Sequence, residues 1–138
     1  MAKILIADDS DAIRLVLKDI LSIGDHEVVD EATDGAEAVD LYQKHNPQIL
    51  LLDLAMPKKD GSTVVQEVMK YDPNAKIILI TASDDQKVIE QCLENGASSY
   101  ISKPFDFNGV LESIKSLIWE SNLGHKIIDE LSKKCLKL

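Results

Sequence analysis

Short apolar runs alternate with amphipathic stretches along most of this chain, and that alternation restricts its fold more than any other feature. Lys3 to Ala7 is a short continuous apolar run, the pattern of a strand buried on both faces. Ser10 then offers an N-cap, and Ile13, Val16, Leu17, Ile20 and Leu21 recur at helical spacing until Gly24. Glu27 to Ala32 reads as a weaker strand, with Val28 and Val29 as its apolar part. Asp34 followed by Glu37 fits a capping box with Asp in the Ser/Thr place, and Ala38, Leu41 and Tyr42 give that helix one stripe. Gln48 to Asp53 is the third strand and the most apolar. The loop Leu54 to Gly61 is broken by Pro57 and Gly61, and a helix from Ser62 to about Tyr71 shows Val64, Val65, Val68 and Met69. Lys76 to Thr81 is the fourth strand. Ser83 and Gln86 suit the start of a fourth helix, with Val88, Ile89, Cys92 and Leu93 inward and Gly96 at its end. Ser98 to Ser102 is a fifth strand, and a last helix runs from Asp106 towards Trp119 on Val110, Leu111, Ile114, Leu117 and Ile118. Five strands alternating with five helices predict an α/β fold: a parallel sheet with helices on both faces. Ligands of such sheets gather outside the carboxyl ends of the strands, where strand order reverses.

A length of 138 residues suits a single domain, and 45% hydrophobic with 28% charged residues excludes wholesale disorder. No apolar run approaches the ~20 residues of a membrane-spanning helix. The first residues lack the length and cleavage site of a signal peptide, so a cytoplasmic location is expected. Cys92 and Cys135 form no C-x-x-C pair and have no spaced histidines, which argues against a disulfide framework or a zinc site. The net charge of −9 is uneven: residues 1 to 119 hold 11 basic and 21 acidic residues, and residues 120 to 138 hold 4 and 3. An acidic body repels phosphate backbones and suits a divalent cation or basic surfaces on partner proteins, so no nucleic-acid partner is expected.

The expected strand ends concentrate polar residues. Strand one ends in Asp8-Asp9, strand three in Asp53 and strand four in Thr81, while strand five runs into Lys103-Pro104. Three converging carboxylates raise each other's proton affinity unless a cation neutralises them. Hard oxygen ligands at the end of a sheet suit magnesium. Lys103 adds a mobile positive charge and Thr81 a hydroxyl, which together describe an anion hole beside a metal. That combination serves phosphoryl transfer, and an Asp can itself be the nucleophile.

Asp8-Asp9, Asp53-x-x-Met56-Pro57, Gly61, Thr81-Ala82, Gly96-Ala97, Tyr100 and Lys103-Pro104 together resemble the signature of a two-component response-regulator receiver domain of the CheY-like family. The resemblance covers residues 3 to about 119 and implies the flavodoxin-like sheet of that family, a doubly wound five-stranded parallel sheet of order 2-1-3-4-5. It implies that Asp53 accepts a phosphoryl group from a histidine kinase. Asp9 would bind Mg2+ directly and Asp8 mainly through a water, with Asp53 and the backbone carbonyl of Ala55 completing the metal set. Lys103 would pair with the phosphoryl group or, before it arrives, with Asp53, and Thr81 would hydrogen-bond a phosphoryl oxygen. Pro104 implies a cis Lys103–Pro104 bond. Thr81, Tyr100 and Pro104 would form the switch, changing the face of the fourth helix, fifth strand and fifth helix. Such a protein is a phosphoacceptor that regulates a downstream target protein, in chemotaxis or a relay, and catalyses only its own phosphorylation and dephosphorylation.

The expected domains are a receiver over residues 1–121 and an amphipathic extension over 122–138. Ile127, Ile128, Leu131 and Cys135 recur at helical spacing there, with Lys126, Asp129, Glu130, Lys133 and Lys134 opposite. A helix of this kind packs on its own domain or serves docking and homodimerisation. A fragment of a longer regulator is an alternative reading. Another is an aspartate-based phosphohydrolase, which would want a second Asp where Ala55 stands. A flavodoxin-type cofactor binder is disfavoured because Asp8-Asp9-Ser10-Asp11 would repel a phosphate.

Overall fold

The computed structural model describes residues 2–82 and 86–118. The elements alternate as β1 (Lys3–Ala7), α1 (Asp11–Ile23), β2 (Glu27–Ala32), α2 (Gly35–His45), β3 (Ile49–Asp53), α3 (Gly61–Tyr71), β4 (Ile77–Thr81), α4 (Gln86–Glu94), β5 (Ser99–Ser102) and α5 (Phe107–Ile118). The five strands form one sheet in the order β2-β1-β3-β4-β5, and every pairing is parallel. The fold class and strand order are those expected from the sequence.

Side chains alternate across the central strands, as the two-residue repeat of a strand requires. Leu5, Ala7, Leu50, Leu52, Ile77 and Leu79 pack with α2, α3 and α4 in one buried cluster. Ile4, Ile6, Ile49, Leu51, Ile78 and Ile80 pack with α1 and α5 in the other. β3 and β4 are buried at every residue, whereas edge strand β5 alternates between half-buried and exposed. Continuous apolar runs therefore mark the strands covered on both sides.

The helix starts follow the capping chemistry. The Ser10 hydroxyl accepts the Ile13 N–H, the Asp34 carboxylate that of Glu37, and the Asp60 carboxylate that of Thr63. Glu37 does not close the reciprocal bond of a capping box on Asp34; its carboxylate accepts the neighbouring Thr33 N–H instead, at 3.2 Å. The third helix begins one residue earlier than expected, at Gly61, because Asp60 is its cap. The chain leaves α4 through Gly96 at φ +119°, a conformation glycine adopts without a side-chain clash.

Strands three, four and five each begin one residue later than the sequence suggests. Gln48, Lys76 and Ser98 still join the ladder through single backbone bonds to Lys3, Leu50 and Ile77. Val16 also departs from expectation: it is 46% exposed and lies off the buried stripe of α1. Cys92 is buried, as a small apolar residue would be. No helix of the described residues is long and apolar enough to cross a membrane. Ser83, the end of the last helix at Trp119, Cys135 and the extension over 122–138 lie outside the described residues.

Candidate functional site

The loops at the carboxyl edge of the sheet bring the polar strand ends together. Asp8 leaves β1 with its backbone N–H bonded to Ala32 at 3.0 Å, continuing the β1–β2 ladder by one residue. Its Oδ1 accepts the Ser10 N–H at 2.8 Å, which folds the loop back into α1. Asp53 closes β3, and its Oδ1 accepts the Ala55 N–H at 3.3 Å. Asp8 and Asp53 are buried, at 1% and 4% exposure, while Asp9 is exposed. One carboxylate oxygen from each of Asp8, Asp9 and Asp53 lies within 4.8 Å of the others. These are three hard anionic donors, two of them stripped of water, in a space sized for one small cation.

Lys103 enters from the end of β5. Its Nζ lies 3.1 Å from Asp8 Oδ2 and 3.6 Å from Asp53 Oδ1. The ammonium thus hydrogen-bonds Asp8 and also forms an ion pair with Asp53, the resting partner that the family resemblance implied. The Lys103–Pro104 peptide is cis. The Lys103 N–H bonds the Thr81 carbonyl at 2.7 Å, which ties β5 to the end of β4. Thr81 is buried at that end, at 3% exposure. Tyr100 lies on β5 opposite Leu79 and is 43% exposed. Ala55 turns its side chain to solvent, and Met56 packs into the core under α2 to α4.

Burial pushes the Asp53 carboxyl above the ordinary aspartate range. The Ala55 N–H opposes that shift, the charge of Asp8 reinforces it, Lys103 opposes it and Asp9 adds to it. A group in this position gains from a cation that can replace its lost hydration.

Sequence reasoning missed the residues that hold the loops. Arg14, on α1, donates Nη1 to the Asp8 carbonyl at 2.7 Å and Nε to Glu31 at 3.1 Å, and it pairs with Asp11. Lys18 meets the other oxygen of Glu31 at 3.1 Å. Arg14 thereby fixes the backbone between β1 and α1 that carries both acids. No spacing rule marks an arginine whose partner is a carbonyl six residues back. The Gly35 N–H bonds the Pro57 carbonyl at 3.2 Å, which anchors the loop after β3 to the start of α2.

The model of the response regulator receiver domain matches residues 4–115. The chain belongs to the response regulator receiver domain family. Its receiver is 39% identical to the chemotaxis protein CheY of Thermotoga maritima over 115 residues, which is 83% of this chain and 96% of that one. It is 39% identical to the CheY of Bacillus subtilis over 116 residues, 84% of this chain and 97% of that one. Among solved structures, the CheX–CheY–BeF3–Mg2+ complex from Borrelia burgdorferi superposes with a TM-score of 0.81 at 37% identity, covering 84% of this chain and 88% of that one. The receiver is therefore a CheY-like two-component response regulator domain with the flavodoxin-like fold.

Proposed function

We propose that this receiver accepts a phosphoryl group on Asp53 from the phosphohistidine of a histidine kinase or phosphotransfer protein. The observation that carries the reading is the meeting of the Asp8, Asp9 and Asp53 oxygens within 4.8 Å beside the Lys103 ammonium. Magnesium fits this donor set. Asp9, Asp53 and the Ala55 carbonyl would hold it, with Asp8 acting mainly through a water. Bound there, it would neutralise charge on the phosphoryl oxygens.

The protein's own residues then have separate tasks. An Asp53 carboxylate oxygen attacks phosphorus and forms a P–O bond as the P–N bond of the donor breaks, and the departing imidazole nitrogen keeps the electron pair. Lys103 moves from Asp8 towards the added phosphoryl group, a shift that its present position between the two carboxylates makes short. Thr81 hydrogen-bonds a phosphoryl oxygen. The added charge of ~−1.5 to −2 draws Thr81 inward and lets the exposed Tyr100 ring turn in behind it. That biases the face formed by α4, β5 and α5 between two shapes, and a downstream target protein reads the difference. The two chemotaxis relatives support a stand-alone regulator of that kind. Ala55 supplies no second acid for a hydrolytic cycle, which supports a signalling role over a phosphohydrolase.

Incubation with Mg2+ and a small acyl phosphate donor is expected to add one phosphoryl group, located at Asp53 by mass spectrometry. Asp53→Asn is expected to abolish it. Equal labelling of Asp53→Asn would refute the assignment.

A further inference from the structure

Asp8 and Asp9 are consecutive, and consecutive residues of a strand point to opposite faces of the sheet. Yet one carboxylate oxygen of each lies within 4.8 Å of the other and of Asp53. The chain must leave the extended conformation between the two acids, and it bends at Asp9. The peptide unit that joins them sets the direction in which the Asp9 side chain points. The carbonyl of that unit belongs to Asp8, and Arg14 Nη1 donates to it at 2.7 Å.

Arg14 is placed to keep this peptide in one orientation. Its backbone N–H donates to the Ser10 carbonyl at 3.0 Å, so one residue ties down both sides of the bend. Its Nε donates to Glu31 at 3.1 Å, and its Nη2 pairs with Asp11. Lys18 occupies the second oxygen of Glu31, also at 3.1 Å. The guanidinium is thus anchored from the loop, from the first turn of α1 and from β2, and the Arg14 side chain is only 11% exposed. A planar fork held on three sides fixes the direction of its acceptor, which the single ammonium of a lysine does not reproduce.

Charge does not account for the arrangement. Arg14 and Lys18 bring two positive charges, Asp11 and Glu31 bring two negative ones, and the network is neutral as a unit. Taken by itself, a positive charge behind the acids would repel a divalent cation. What the arginine can supply to a cation-binding loop is geometry.

On the reading that Asp9 and Asp53 hold Mg2+, we infer that Arg14 is a positioning residue: by gripping the Asp8–Asp9 peptide it turns the Asp9 carboxylate into the pocket and so sets the affinity for the ion. Groups that orient metal ligands typically account for ~10–100-fold in affinity. The two roles open to an arginine here have opposite signs. Removing a repelling charge tightens Mg2+ binding, whereas releasing the peptide weakens it.

The test is titration calorimetry of Mg2+ into the full chain, with Arg14→Lys, which keeps the charge, and Arg14→Gln, which removes it. Both are expected to bind Mg2+ at least about tenfold more weakly than the unaltered protein. The Mg2+ concentration that half-saturates labelling of Asp53 by an acyl phosphate should rise by the same factor. In isotope-labelled Arg14→Lys, the Asp8 carbonyl carbon and the Asp9 amide are expected to shift, while the amides of β3 and β4 stay in place and report an intact fold. Should Arg14→Gln fail to fold, Arg14→Lys decides alone. Mg2+ binding as tight in Arg14→Lys as in the unaltered protein, or tighter in a folded Arg14→Gln, would overturn the positioning role. Asp9→Asn separates that failure from a deeper one. If it abolishes binding while Arg14→Lys does not weaken it, only the role of Arg14 falls; if it leaves the affinity unchanged, the metal set is wrong and the role of Arg14 falls with it.

Discussion

Asp53 ends one of the two strands that are buried at every residue, and its raised proton affinity is a statement about stability as well as chemistry. The folded carboxyl holds its proton to a higher pH than the unfolded one, first because burial removes water and then because Asp8 lies close. As pH rises, the unfolded chain ionises first, near the ordinary aspartate value of ~3.9. The metal-free fold therefore loses stability from that pH upward until Asp53 has ionised in the folded state too. Asp53→Asn removes the penalty. In chelator, it is expected to raise the melting temperature at pH 7 by a few degrees, the scale of ~1 kcal/mol in a domain of this size. The gain should shrink towards zero below about pH 4, which thermal melts from pH 4 to 8 would check. At this scale the acids, Thr81 and Lys103 were legible because each ends a recognisable strand. Arg14 was not, because its acceptor is a backbone carbonyl that any residue presents.

Among the elements, the loop after β3 depends on the first residue of α2. A side-chain carbon added at Gly35 would lie 2.4 Å from the Lys59 carbonyl oxygen and 2.6 Å from the Lys59 Cβ. Gly35→Ala is therefore expected to push residues 57 to 59 outward at a cost of ~1–3 kcal/mol, measurable by urea denaturation. It should also slow labelling of Asp53, because the same loop carries Ala55. Helix starts were legible at Ser10 and Asp34, where the capping residue is its own signal. The burial of Val16 was misjudged because Val16 fits two stripes of α1 equally well by spacing. Which stripe meets the sheet depends on where β1, β2 and α5 lie, and periodicity within one helix carries none of that.

On the scale of the whole molecule, the ends of β1, β3 and β5 each deliver one part of the cluster of acids and lysine, so anything that binds it stabilises the fold as a unit. Mg2+ is expected to raise the melting temperature progressively, by the equivalent of ~2.7 kcal/mol at a hundred times its dissociation constant. Asp9→Asn should lose most of that rise. Lys103→Ala should keep it yet uncouple phosphorylation from binding of the target protein; calorimetry with and without the ion would separate the two variants. Element order, the sheet's burial on both faces and the identity of the candidate acids follow from the sequence alone, because they rest on contacts between near neighbours and on the two repeats of strand and helix. Tertiary packing alone decided that the lysine lies nearer Asp8 than Asp53, that Arg14 clasps the loop after β1, and which side of α1 packs on the sheet. Those distances join residues up to 95 positions apart, and they exist only once the strands have paired.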